Sequence, residues 1–144
     1  MMNRRNVLQG MGAAMMMPLA DEAGLHAQTT SNEAGVVYEL RIYHTHEGKF
    51  EPLVRRFRER ETKIFARLGM HVVGYWTPDD EPQKGNELIY LLRHKSREAA
   101  TASWAAFKSD PEWVKLKAES EADGPFVEKY DITFMTLTDF SPKV

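Results

Sequence analysis

Two neighbouring segments, Met70–Thr77 and Asn86–His94, are apolar on both sides of an extended backbone. Side chains alternate across a strand, so a strand with one wet face is apolar only at every second position. A nearly continuous apolar run is instead typical of a strand that is covered on both faces. The intervening Pro78–Gly85 is rich in turn residues and favours a hairpin. The two segments therefore predict a central hairpin with a layer on each side.

Helical regions are predicted on either side of this hairpin. Phe50–Leu68 carries apolar residues at helical spacing, interrupted only near Glu61. Ser96 opens the second region, because serine is a preferred helix N-cap. In Asp110–Trp113 the aspartate caps a further short helix, and the proline takes its first position, where a missing N–H is harmless.

The strands and helices follow the order β-α-β-β-α-β. Val36–Tyr43 alternates as the first strand, and Tyr130–Phe140, rich in Thr, Ile and Phe, is predicted as the last. This order predicts an α+β, ferredoxin-like fold, in which one four-stranded antiparallel sheet carries the helices on one face. The other face needs a cover, because large apolar patches are rarely left exposed. We therefore predict a homodimer that packs sheet against sheet.

Four stretches of the chain resemble the NIPSNAP family in order and spacing. These are Tyr38–Tyr43 with Gly48 after it, Val73–Trp76, Asn86–Leu92 and Asp110–Trp113. The resemblance spans most of residues 36–140 and implies a dimeric α/β-barrel, in which two ferredoxin-like sheets close around an interior. It brings no reaction with it, because the family is known by its fold and by membrane-trafficking and mitochondrial members. Related barrel families include haem-degrading monooxygenases, but a fold does not determine a function.

The N-terminus has the composition of an export signal. Arg4 and Arg5 precede an uncharged, mildly apolar stretch, and Leu25–Ala27 ends on a small residue. Paired arginines before a weakly hydrophobic core are typical of the twin-arginine pathway. We expect residues 1–27 to be a cleaved signal peptide and residues 28–35 a linker. The domain at residues 36–140 is then a periplasmic or extracellular protein.

Composition excludes several classes of function. The chain of 144 residues has no cysteine, so it has no disulfide, thiolate metal site or cysteine nucleophile. A net charge of −2 argues against nucleic-acid binding, and no apolar run is long enough for stable membrane insertion. The sequence has neither a glycine-rich phosphate loop nor a nucleophile elbow, and no cofactor is predicted.

A polar row, Glu39, Arg41 and Tyr43, occupies one side of the first strand. If the apolar side carries the helices, the row points into the barrel. There Tyr43 or Glu39 can handle a proton while Arg41 holds an anionic group of a small ligand. The alternative is an internal network of paired charges that sets strand register or holds the dimer together.

Two tryptophans and three histidines complete the candidate residues. Trp76 can wall a pocket and Trp113 can close its mouth, although both can equally be packing residues. His44, His46 and His94 can approach one metal ion. The metal signal is weak, because no carboxylate motif accompanies the histidines and the first two fall on a predicted loop.

Two functions remain open from the sequence. The first is small-molecule binding inside a dimeric barrel, with cofactor-free oxygenase or isomerase-like chemistry if the protein is an enzyme. The second is a non-catalytic dimeric interaction module with a packed interior. The volume of the interior distinguishes them, because a ligand needs a cavity.

Overall fold

A computed structural model describes residues 35–144 of the chain. The predicted signal peptide, and the predicted linker except Gly35, lie outside the described residues. Neighbouring strands are all antiparallel, and their order across the sheet is β2-β3-β1-β4. This arrangement confirms the predicted α+β, ferredoxin-like fold. The strands are β1 (Val37–Thr45), β2 (His71–Trp76), β3 (Glu87–His94) and β4 (Val127–Met135).

The helices are α1 (Phe50–Arg56), α2 (Thr62–Arg67), α3 (Arg97–Ser109) and α4 (Pro111–Ser120), with a π-helical segment, Phe57–Glu61, joining the first two. Both predicted N-caps are confirmed. The Ser96 hydroxyl accepts a hydrogen bond from the Ala99 N–H at 3.0 Å, and Asp110 Oδ1 accepts from the Glu112 and Trp113 N–H groups at 3.1 Å. Within residues 35–144, none of the helices has the length and hydropathy needed to cross a membrane.

The hydrophobic core lies between the helices and one face of the sheet. Burying each large apolar side chain stabilises the fold by roughly 1.5–3 kcal/mol. Aromatic rings dominate the core and meet edge to face, as Phe65 does with Trp104 and Phe107. The core residues with the least exposure are Leu53, Ile64, Phe65, Tyr90 and Leu92.

Strand β4 begins and ends earlier than predicted, at Val127–Met135 instead of residues 130–140. Its neighbour accounts for both limits. Val127 pairs with Thr45, the last residue of β1, and Met135 pairs with Tyr38, close to its first. Beyond Met135 there is no partner strand to continue the ladder of hydrogen bonds, so the extended segment ends.

A β-bulge in β2 reverses part of the predicted alternation. Val72 pairs with Leu92 and Tyr75 with Tyr90, but the register shifts between Val72 and Gly74. The extra residue places both Val72 and Tyr75 on the helix side, because a bulge opposes two residues to one. Trp76 consequently lies on the other side from Val72, although strict alternation along β2 would place the two side chains on the same side.

The sheet face without helices, called the open face below, carries an apolar centre. Near the end of β1, His44 links the two neighbouring strands on this face, contacting Glu87 Oε1 of β3 at 3.0 Å and Asp131 Oδ2 of β4 at 2.9 Å. The C-terminal residues lie over one end, where Tyr38 donates a hydrogen bond to the Val144 carbonyl at 3.4 Å. The apolar centre consists of Leu40, Ile42, Ile89, Leu91 and Trp76.

Candidate functional site

The polar row of β1 lies on the helix side of the sheet. Glu39 is fully buried and accepts a 2.7 Å hydrogen bond from Trp104 Nε1 of α3. The expectation that the row faces away from the helices is therefore wrong. The reason is that a buried indole N–H needs an acceptor, and Glu39 supplies it while the apolar side of β1 occupies the open face.

Three donors surround the Glu39 carboxylate. Besides Trp104, His94 Nε2 lies 2.8 Å from Oε2 and Arg41 Nε donates to Oε1 at 2.6 Å. Burial opposes ionisation, yet these hydrogen bonds and the positive charge of Arg41 lower the pKa of Glu39. The Arg41 guanidinium also stacks on the Trp104 ring, 3.6 Å from its centroid. Glu39 and Arg41 thus form an internal network that holds α3 to the sheet.

Tyr43, the third residue of the row, lines a cavity of about 170 Å³. The cavity lies where the π-helical segment and α4 meet the sheet. Its lining combines aromatic rings with a small set of charged groups, which is the usual composition of a ligand site. The lining residues are Tyr43, Arg56, Glu61, Phe107, Trp113, Lys117, Glu121, Pro125, Val127 and Tyr130.

The Tyr43 hydroxyl is held by two donors. Its oxygen accepts from the Tyr90 hydroxyl at 2.7 Å and from Arg41 Nη1 at 3.3 Å. An oxygen that accepts both bonds keeps its own O–H for a third partner. Burial raises the pKa of Tyr43, so the phenol stays protonated at neutral pH and can donate to a ligand in the cavity.

Glu61 is buried like Glu39, but it lies in the lining of this cavity, although the sequence did not predict it as a site residue. It is 2% exposed, and its Oε2 accepts from Arg56 Nε at 3.1 Å. Arg56 is shared, because its Nη1 also donates to Glu121 Oε1 at 2.7 Å. Burial raises the pKa of Glu61 to about 7, with Arg56 acting against the rise.

The position of Glu61 follows from the π-helical segment that it ends. A π turn takes one residue more than an α turn and often marks a functional site. The sequence carried a trace of it, since the apolar spacing of Phe50–Leu68 breaks near Glu61. That break indicates an irregular turn but does not reveal that the acid points inwards.

The two predicted tryptophans occupy different sides of the sheet. Trp113 lines the cavity, with its ring 4.5 Å from that of Phe107 and 5.0 Å from the Arg56 guanidinium carbon. Trp76 is 51% exposed on the open face and lies over Gly74, where an added Cβ would meet its ring at 2.7 Å. The geometry thus gives Trp113, and not Trp76, a place beside Tyr43.

The motif Asp110–Trp113 positions Trp113. Arg67 Nη2 lies 2.8 and 2.9 Å from the two Asp110 carboxylate oxygens. The same carboxylate caps α4, so one side chain fixes the start of α4 against α2. These bonds lower the pKa of Asp110, the largest effect coming from Arg67.

The three histidines that could approach one metal do not meet. His44 lies on the open face opposite Glu87, whereas His94 is buried on the helix side opposite Val37. His46 follows the end of β1. Within residues 35–144 no three His, Asp or Glu side chains are grouped as metal ligands.

Larger hollows occur on the surface but gather no comparable groups. One of about 260 Å³ lies beneath the C-terminal residues against Tyr38. Another, of about 440 Å³, is an open groove between α1 and α4 lined largely by charged side chains. Neither combines a phenol with a buried acid, so the cavity beside Tyr43 is the better candidate despite its smaller volume.

A family model for NIPSNAP matches residues 38–142. The chain belongs to the NIPSNAP family. No curated protein matches the chain.

Two of the solved NIPSNAP structures illustrate the shared fold. A NIPSNAP-like domain protein from Burkholderia xenovorans is 19% identical, with a TM-score of 0.65, covering 76% of this chain and 90% of its own. A NIPSNAP family protein from Agrobacterium tumefaciens is 21% identical, also with a TM-score of 0.65, covering 74% and 97%. Identities this low show the common fold alone.

Proposed function

We propose that the cavity beside Tyr43 binds a small molecule carrying a hydrogen-bond acceptor on a single ring. The observation that supports this most is the Tyr43 hydroxyl, whose oxygen accepts from two donors of the protein and so keeps its own proton for a further partner. A volume of about 170 Å³ suits one ring, since an apolar cavity of about 150 Å³ accommodates benzene. It is smaller than the sites that hold drug-sized ligands.

The lining supports the same class of ligand. Trp113 and Phe107 offer flat apolar surfaces, and Tyr130, 59% exposed, stands at the entrance. Arg56 and Lys117 add positive charge at one side of the cavity. A ring with a carbonyl or phenolic oxygen satisfies both the aromatic surfaces and the Tyr43 donor.

Ligand-observed NMR on a panel of cyclic ketones and phenols tests the proposal. The Tyr130→Ser variant should bind the panel at least tenfold more weakly, because the change removes the ring at the entrance with little effect on the buried core. The matched control is Trp76→Ser, which removes an aromatic ring from the open face and should leave affinity unchanged.

The opposite result would place the binding site on another face of the sheet. If Trp76→Ser weakens binding while Tyr130→Ser does not, the ligand lies on the open face. If neither wild type nor variants bind any member of the panel, the proposal is wrong and the chain is better described as an interaction module.

A non-catalytic dimeric module remains the second candidate, and the Glu39 network favours it. All of the donors around Glu39 come from the chain itself, so this part of the predicted site is occupied by structural bonds. We also propose that the open face packs against a second copy, because Leu40, Ile42 and Leu91 form an apolar centre that no described helix covers.

Export is proposed on the leader alone. The paired Arg4 and Arg5 and the small-residue end at Ala27 support cleavage and delivery to the periplasm. Mass spectrometry of the protein from cell fractions checks this. We expect a periplasmic chain that begins near Gln28, whereas a cytoplasmic chain with an intact leader contradicts it.

A further inference from the structure

We infer that Glu61 is a proton-transferring base of the cavity, and that with Tyr43 it isomerises an enolisable cyclic ketone. This inference rests on the proposed function, because it needs the carbonyl compound to bind beside Tyr43. It goes further by naming the reacting groups and the bond that breaks. The argument depends on where the two side chains lie and on what surrounds each of them.

Glu61 and Tyr43 line the same cavity from different elements, the π-helical segment and β1. The two side chains also interact electrostatically, since the Glu61 charge contributes to raising the pKa of Tyr43. Arg56 holds Oε2 of Glu61, whereas no donor among residues 35–144 meets its Oε1. The carboxylate therefore has a fixed oxygen and another that is left for a ligand.

The charged and titratable groups around Glu61 come from every neighbouring element. Arg56 lies on α1, Lys117 on α4 and Glu121 just beyond it. The sheet contributes the phenols of Tyr43, Tyr75 and Tyr90, and the Glu61 charge helps to raise the pKa of each. Burial dominates this balance and raises the pKa of Glu61 to about 7. Near neutral pH, a group with that pKa is populated in both its protonated and its deprotonated form, so it can accept a proton and return it.

The proposed step moves one proton and needs no co-reactant. In a β,γ-unsaturated ketone, Glu61 takes a proton from the α-carbon, and the C–H electron pair becomes the double bond of a dienolate. The negative charge lies on the carbonyl oxygen, where the Tyr43 O–H donates. Glu61 then returns the proton to the γ-carbon, giving the α,β-unsaturated isomer with the same atoms and electrons.

Tyr43 is suited to stabilise that oxygen. Its oxygen accepts from Arg41 and Tyr90, which makes its own O–H a stronger donor, and fixed donors that face a developing oxyanion are the most effective stabilising groups in active sites. Burial keeps the Tyr43 pKa above its ordinary value, so the hydroxyl donates a hydrogen bond without losing its proton.

The experiment measures conversion of cyclohex-3-enone to cyclohex-2-enone, together with loss of α-protons from the ketone panel in D₂O. The wild type should exceed Glu61→Gln by at least 100-fold, the lower range for a positioned acid–base group. Its rate should rise with pH through about 7, the pKa of Glu61, and then level off. The matched control, Glu119→Gln on the exposed side of α4, should retain the wild-type rate.

A variant that keeps the carboxyl group separates catalysis from packing. Glu61→Asp should recover part of the rate, whereas Tyr43→Phe should lower it while the rise near pH 7 persists. Ketone binding without any difference between wild type and Glu61→Gln in either assay overturns the inference but leaves the proposed function in place. Absence of binding by the whole panel overturns both.

Discussion

Two buried carboxylates on this chain have opposite electrostatic surroundings. Glu39 receives hydrogen bonds from Trp104, His94 and Arg41, and its pKa is lowered despite burial. Within residues 35–144, Glu61 has Arg56 alone as its direct donor, and burial raises its pKa to about 7. The difference arises from the number of donors, because each hydrogen bond to the charged form favours ionisation. Glu39 is therefore suited to holding structure, and Glu61 to exchanging a proton.

Replacing Glu39 by Gln should destabilise the fold by about 3 kcal/mol, because it leaves Arg41 buried without its counter-charge. Urea denaturation measures the loss. The matched control is Glu128→Gln, an exposed residue of β4, which should change the free energy of unfolding by less than about 0.5 kcal/mol. Similar values for the two variants would show that the Glu39 network contributes little.

Glu61→Gln should change how stability depends on pH. The Glu61 pKa is raised on folding from 4.5 to about 7, so its favourable contribution is complete below the unfolded value and is lost as pH rises through the folded one. The wild type should lose up to roughly 3 kcal/mol relative to Glu61→Gln between pH 4.5 and 7.5. Denaturant titrations at several pH values measure the difference, and parallel curves would contradict it.

The sequence predicted the members of the polar row but not their direction. Alternation in β1 separates Glu39, Arg41 and Tyr43 from Leu40 and its neighbours, yet it carries no information on which side the helices take. The deciding contact is Trp104, a partner 65 residues away in the chain. Glu61 was missed because an acid among charged helix residues has the pattern of a solvated surface.

At the scale of elements, the helix N-caps could be predicted from the sequence, whereas the pairing register of the strands could not. Ser96 and Asp110 act through bonds to N–H groups two or three residues away, which local sequence specifies. The bulge in β2 and the early start of β4 depend on pairing with β3 and β1, so no single segment contains the information. The strand order followed from the number and sequence of elements, which explains why the fold was predicted while its detailed register was not.

Replacing Asp110 by Ala should cost about 1–2 kcal/mol, since it removes the N-cap of α4. The change also releases Arg67, so Trp113 should move relative to Phe107 and its fluorescence should shift. Thermal unfolding followed by fluorescence measures both effects. Asp123→Ala, a change of the same chemistry in the exposed turn after α4, should leave both unchanged; equal effects would argue against the cap.

At the scale of the whole molecule, one face of the sheet is covered by helices, and the other has an apolar centre that no described element covers. Proteins that stay monomeric rarely leave a continuous apolar sheet face exposed. The proposed second copy removes this area from water and leaves the cavity beside Tyr43 unchanged, because the cavity lies on the other side of the sheet. Dimerisation and ligand binding are then separable properties.

Leu91→Glu should convert the proposed dimer into a monomer, because it places a charge in the centre of the open face. Sedimentation equilibrium should give twice the chain mass for wild type and the chain mass for the variant. Lys108→Glu, on the exposed side of α3, is the control and should remain dimeric. A monomeric wild type would disprove the proposed interface.

The π-helical segment has a consequence at the level of the gene. Its wide turn contains one residue more than regular winding, so a three-nucleotide deletion within it would restore an ordinary helix. Because the wide turn accommodates the extra residue, the turns before and after it would keep their faces, and the change would be confined to the stretch that positions Glu61 beside Tyr43. A single codon thus sets the local winding at Glu61, and its loss would test the proposed chemistry without disturbing the sheet.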